Sequence, residues 1–178
     1  MGKKILLDLD LCVGCGACSV ACMDQNDIEP DQGEPAYRRI FQMEMGKNPD
    51  ASFQYISTAC RHCDDSPCLV GCPTGAISKD LETDSIVVNR DVCIGCHSCA
   101  LACPFGIPRY DNEDKLYKCT QCYEREQAGL KPACVRVCPM SALQFDLPNV
   151  TMKNKELDYL KKSVNEARQV VQGDGRFA

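Results

Sequence analysis

The sequence has no tryptophan and only two histidines, and aromatic residues make up 6% of its 178 positions. A chain so poor in large rings buries less hydrocarbon than most domains of its length, so something besides side-chain packing must hold it together. It has no run of about 18 apolar residues, which argues against a membrane-spanning helix. The N-terminus carries two lysines, alternates apolar and acidic residues through Ile5–Asp10, and lacks an apolar stretch of signal-peptide length. The expectation is a cytoplasmic chain, unless a signal-bearing partner exports it in complex. Disulfides do not persist in a reducing cytosol, so metal ligation becomes the expected use of cysteine. Positive charge is short too. Lys and Arg number 20 against 25 Asp and Glu, a net charge of −5, which argues against nucleic acid as a partner.

What is abundant is cysteine. Sixteen cysteines fall into four blocks of four. Block one is Cys12, Cys15, Cys18 and Cys22, spaced C-x2-C-x2-C-x3-C, and block three, Cys93, Cys96, Cys99 and Cys103, has the same spacing. The two are copies, CVGCGACSVAC against CIGCHSCALAC. Block two, Cys60, Cys63, Cys68 and Cys72, widens the middle gap to four residues, and block four, Cys119, Cys122, Cys134 and Cys138, widens it to eleven. The flanks repeat as well. Strand-like runs precede the narrow blocks at Ile5–Asp10 and Ile86–Asp91, and others follow the wide blocks at Gly75–Ser78 and Ala142–Asp146.

Cubane clusters need four thiolates each, and three cysteines two residues apart wrap a loop around one cube while the fourth cannot reach it. In bacterial-type two-cluster ferredoxins the run C-x2-C-x2-C-x3-C-P gives its last cysteine to the other cluster. Pro73, Pro104 and Pro139 follow the last cysteine of blocks two, three and four; block one has Met23 there. Four [4Fe-4S] clusters are expected, with ligand sets that cross between blocks. Cluster 1 takes Cys12, Cys15, Cys18 and Cys138, and cluster 2 takes Cys22, Cys119, Cys122 and Cys134. Cluster 3 takes Cys60, Cys63, Cys68 and Cys103, and cluster 4 takes Cys72, Cys93, Cys96 and Cys99. The rival metal is zinc, whose structural sites join two C-x2-C pairs across a loop. Block four imitates that pattern, but the triple C-x2-C-x2-C does not.

The expected fold is α+β: two bacterial-type ferredoxin modules, the second inserted in the first. Residues 1–22 with 104–147 form the outer module and 60–103 the inner one. Residues 23–59 read as a hairpin insertion, with strand-like patches Ala36–Met45 and Ser52–Thr58 around a Lys47–Asp50 turn. In the tail, 148–178, apolar residues at helical spacing across Thr151–Gln172 predict a helix.

Cys60–Ile77 (CRHCDDSPCLVGCPTGAI), DVCIGCHSCALACPFGIPRY and KCTQCYEREQAGLKPACVRVCP resemble the four-cluster iron–sulfur subunits of the dimethyl sulfoxide reductase type, over about residues 3–147. The resemblance implies a small non-catalytic subunit that passes electrons to or from a large subunit with a molybdenum or tungsten pterin cofactor, and to a further donor or acceptor protein. Similar subunits serve formate dehydrogenases, hydrogenases, tungsten aldehyde oxidoreductases and tungsten benzoyl-CoA reductases. A free polyferredoxin carrier and a hydrogenase relay are the alternatives. No catalytic constellation and no cofactor beyond the clusters is read from the sequence.

Other features have plain readings. His62 and His97 lie inside cysteine blocks, where ligation is superfluous, so each is read as tuning a cluster or as simply exposed. Gly14, Gly16 and Gly95 invite a phosphate-loop reading but occupy spacers in cysteine loops. Arg61, Arg109, Lys118, Arg125 and Arg136 are read as ordinary solvated charges near the clusters.

Overall fold

The computed structural model describes residues 3–46 and 49–145. Its elements are short because the cysteine loops interrupt every run. In chain order they are β1 (Leu6–Leu7), α1 (Ala17–Gln25), β2 (Arg39–Met45), β3 (Ser52–Thr58), α2 (Pro67–Val70), β4 (Ile77–Lys79) and β5 (Ile86–Val88). They continue with α3 (Ser98–Ala102), β6 (Arg109–Tyr110), β7 (Leu116–Tyr117), α4 (Tyr123–Gln127), α5 (Ala133–Val137) and β8 (Leu143–Gln144).

Among the described residues the strands form four antiparallel pairs. β1 pairs with β8, Leu7 opposite Leu143, joining the two ends of the described chain. The Asp8 N–H extends that ladder to the Ala142 carbonyl at 2.7 Å. β4 pairs with β5, Ile77 opposite Val88. The turn between them is tied by Asp80, whose carboxylate accepts from the Thr83 N–H at 2.8 Å and the Thr83 hydroxyl at 2.7 Å. β2 and β3 form the longest ladder, from Arg39 opposite Thr58 to Met45 opposite Ser52. The small hairpin β6–β7 has no counterpart in the sequence reading. Two residues per strand are too few for an alternation to register there. Each two-stranded ladder would be marginal alone in water and needs packing on one face.

That packing is partly sulfur. One core gathers Ala76, Ile77, Ile86 and Leu116 with Cys93 and Cys99; another gathers Leu143 with Cys18 and Cys134. α1 packs against α5, bringing block one to block four, and α2 packs against α3, bringing block two to block three. The helix expected over Thr151–Gln172 lies outside the described residues, as do residues 47–48 of the expected turn. Among the described residues no helix is long and apolar enough to cross a membrane.

Candidate metal centres

All four blocks share one backbone device. The residue before the second cysteine has positive φ in each: Gly14 at 67°, His62 at 46°, Gly95 at 64° and Gln121 at 63°. The left-handed turn curls the loop so that successive cysteines face one space. Glycine serves where there is no room for a side chain. A Cβ on Gly14 would sit 2.2 Å from the Tyr55 ring, and one on Gly95 2.7 Å from the Asp114 carbonyl oxygen. The wide blocks use residues that plug the interior instead. The Gln121 side chain donates to the Lys3 carbonyl at 2.8 Å, and His62 Nδ1 accepts from the Ile86 N–H at 2.9 Å. Accepting at Nδ1 fixes the proton of neutral His62 on Nε2. Burial, then Lys118, Lys4 and Arg38, hold its pKa well below the usual histidine value.

Thiols from different blocks lie close together. Cys12, Cys15, Cys18 and Cys138 line one cavity, walled by Leu7, Ile40 and Leu143. Cys22 is pushed up by burial and then by the nearby sulfurs of Cys119, Cys134 and Cys122. Cys68 is raised by burial, and the sulfurs of Cys60, Cys103 and Cys63 add to the rise. Cys99 is raised by burial and by Cys93 and Cys96, and Cys96 has Cys72 beside it. Cys134 shares a core with Cys18, and the Cys60 sulfur adds to the rise of Cys119 after burial. Cys15 and Cys96 are exposed, whereas Cys18, Cys22, Cys93, Cys99, Cys119 and Cys134 are buried.

The donor chemistry suits clusters. Burial pushes the Cys119 thiol up to about 11, so it ionises readily only when a cationic metal replaces the proton. Among the described residues no three His, Cys, Asp or Glu side chains converge closely enough for one ion. Cys12, Cys15, Cys18 and Cys138 instead frame a cavity, as a cube requires. Donors already point at several of them. The N–H of Gln121 reaches Cys119 Sγ at 3.3 Å and that of His62 reaches Cys60 Sγ at 3.5 Å. At Cys72 burial raises the thiol, but the N–H groups of Ile77, Thr74 and Ala76 and the Thr74 hydroxyl outweigh it and lower the pKa. The Tyr110 hydroxyl lies 3.1 Å from Cys99 Sγ, and the Ser57 hydroxyl 3.3 Å from Cys18 Sγ.

The solvated-charge reading of Lys118 needs correction. It is 3% exposed, and its ammonium donates to the carbonyls of Ile86 and Cys119. The rows of carbonyls left open beside cysteine loops draw it inward. His62, at 1% exposure, is likewise not exposed, whereas His97 is surface-lying and stacks on Tyr110 with centroids 3.9 Å apart. Arg61 lies over the Phe105 ring at 5.0 Å. The sequence reading missed Arg38, Ser57, Tyr110 and Gln121. Gln121 was detectable, since it aligns with Gly14, Gly95 and His62 before the second cysteine of its block. The others stand outside the cysteine loops and carry no local pattern.

Short hairpins backing ferredoxin-type cysteine loops define an α+β binder of [4Fe-4S] clusters. Comparison with known families places it further: descriptions of a 4Fe-4S dicluster domain match residues 51–147 and, separately, 11–77. The protein belongs to this family of iron–sulfur electron-transfer subunits. It is 41% identical over 149 residues to a component of the anaerobic dimethyl sulfoxide reductase of Escherichia coli, covering 78% of this chain and 70% of that one. It is 34% identical over 160 residues to a component of the sulfite dehydrogenase of Allochromatium vinosum, covering 79% and 67%. With the iron–sulfur subunit of the nitrate-inducible formate dehydrogenase of Escherichia coli the identity is 35% over 154 residues, covering 79% of this chain and 52% of that longer one.

Proposed function

We propose that the chain relays electrons through four [4Fe-4S] clusters to or from a large catalytic subunit carrying a molybdenum or tungsten pterin cofactor. The clusters, when bound, supply one-electron transfer; the chain itself holds them, spaces them and sets their surroundings. The ligand sets are those expected from the spacing: Cys12, Cys15, Cys18 and Cys138; Cys22, Cys119, Cys122 and Cys134; Cys60, Cys63, Cys68 and Cys103; Cys72, Cys93, Cys96 and Cys99. In this reading 60–103 is a ferredoxin module set into a second one built from 1–22 and 104–147.

The observation that carries the reading is the order of the thiol groups. Cys134 shares a core with Cys18, the Cys60 sulfur acts on Cys119, and Cys68 packs on the core that holds Cys93 and Cys99, so successive sets 1, 2, 3 and 4 adjoin. Exposed cysteines, Cys15 and Cys96, belong to the two terminal groups. Four clusters held in one chain, with an exposed cysteine in each of the two terminal sets, suit a fixed wire between two redox partners better than a freely diffusing carrier, which needs one or two clusters. The names of the relatives, components of dimethyl sulfoxide reductase, sulfite dehydrogenase and formate dehydrogenase, support a molybdenum- or tungsten-dependent partner. Anaerobic purification from the native source should bring down a large pterin-containing subunit, and reduction of that subunit should be followed by reduction of these clusters. Recovery of the chain alone, with electrons passed to unrelated acceptors, would favour the free carrier.

A further inference from the structure

The segment between blocks one and two contributes no cluster ligand, yet it sends two side chains into the joint between the first two thiol groups. Arg38 stands just before β2, and Ser57 on β3 lies opposite Ile40 of β2. Arg38 is 3% exposed. One guanidinium nitrogen, Nη1, donates to the Ser57 hydroxyl at 2.9 Å and reaches the Ser57 carbonyl at 3.4 Å. That hydroxyl in turn lies 3.3 Å from Cys18 Sγ. Cys134 shares a core with Cys18 and lies beside the guanidinium. Cys18 belongs to the first proposed set and Cys134 to the second, so one cation stands beside both, reaching Cys18 through the Ser57 hydroxyl.

Arg38 has no carboxylate partner among the described residues, and its buried Nε–H has no hydrogen-bond partner. Burying a charge with no compensating charge costs several kcal/mol. The anions around it are the cysteine sulfurs. Burial opposes the charged form, but Cys134, Cys119, Cys18 and Cys22 more than offset this and raise the pKa. Each oxidised cube with four thiolates carries about two negative charges, and a third arrives on reduction.

We propose that Arg38 is the internal counter-ion shared by clusters 1 and 2, holding the potentials of both above the values their ligands alone would give. The proposal rests on the four-cluster reading and the crossed ligand sets. A fixed cation stabilises the reduced, more negative state of each neighbouring cube more than the oxidised state, which raises both potentials. It also gives the hairpin insertion a role in the relay. Arg38 is a positioning and electrostatic residue here, not a ligand.

The test is an EPR-monitored redox titration of the holo chain, prepared anaerobically, as wild type, Arg38→Gln and Arg38→Lys. Arg38→Gln should move two of the four cluster potentials to lower values and leave the other two in place, while Arg38→Lys should keep all four near wild type. An Arg38→Gln protein with four clusters and unmoved potentials overturns the proposal, as does a uniform shift of all four. So does an Arg38→Lys protein shifted as far as Arg38→Gln. If Arg38→Gln loses clusters 1 and 2 while Arg38→Lys retains them, the requirement for charge stands. Loss of both clusters in both variants makes Arg38 a packing residue and overturns the proposal. A wild-type chain holding fewer than four clusters instead strikes the reading beneath it.

Discussion

Tyr110→Phe removes one oxygen from the fourth thiol group and should leave the rest of the fold in place. The ring keeps its stack on His97, at 3.9 Å and 23° between planes. What is lost is the hydroxyl 3.1 Å from Cys99 Sγ. Burial and this contact raise the tyrosine pKa, so the phenol keeps its proton and would donate it to Cys99 Sγ once that sulfur is a cluster thiolate. Hydrogen bonds to charged groups contribute about 1.5–3 kcal/mol. Only the part that strengthens on reduction moves a potential; taking that part as about 1 kcal/mol, and about 59 mV per tenfold for one electron, gives a fall of about 40 mV. The same redox titration measures it. One cluster should fall by about that much in a protein with unchanged iron content. An unmoved potential, or a rise, refutes the assignment of Tyr110 as a donor to a reduced-state thiolate.

The remaining expectations concern ligands and loops. Cys138→Ser and Cys15→Ser should remove or convert the same EPR component, and Cys122→Ser a different one. If Cys138→Ser instead matches Cys122→Ser, the sets do not cross. Gly14→Ala should destabilise the holo chain by more than Gly16→Ala, measured by thermal unfolding. Both have positive φ, which costs about 1–2 kcal/mol for alanine, but the Gly14 Cβ would meet Tyr55 at 2.2 Å whereas nothing lies within 4 Å of a Gly16 Cβ. Chelation with oxidation should abolish circular dichroism across the whole chain, since the cores are built on ligand sulfur. A lobe that stays folded would contradict this.

The cysteine spacing made the dicluster class legible because three of the four thiolates of a cube come from one short loop, whose spacing the sequence displays. The strands around blocks two and three were legible for the same reason, as their apolar runs abut those loops. β6–β7 was not, because two-residue strands leave no period. Lys118 and Arg38 were not either. In a sequence a lysine or arginine between polar neighbours reads as solvated, and only the fold shows that carbonyls enclose one and thiols the other. The burial of His62 is hidden from the sequence because it depends on Ile86, twenty-four residues away on β5. Long-range partners of this kind leave no mark on spacing.

The central claim is a chain that folds around four cubes, and quantifying iron and acid-labile sulfide in anaerobically purified protein tests it most directly. Four cubes require about sixteen of each per chain. A value near twelve, or zinc in stoichiometric amount, contradicts it.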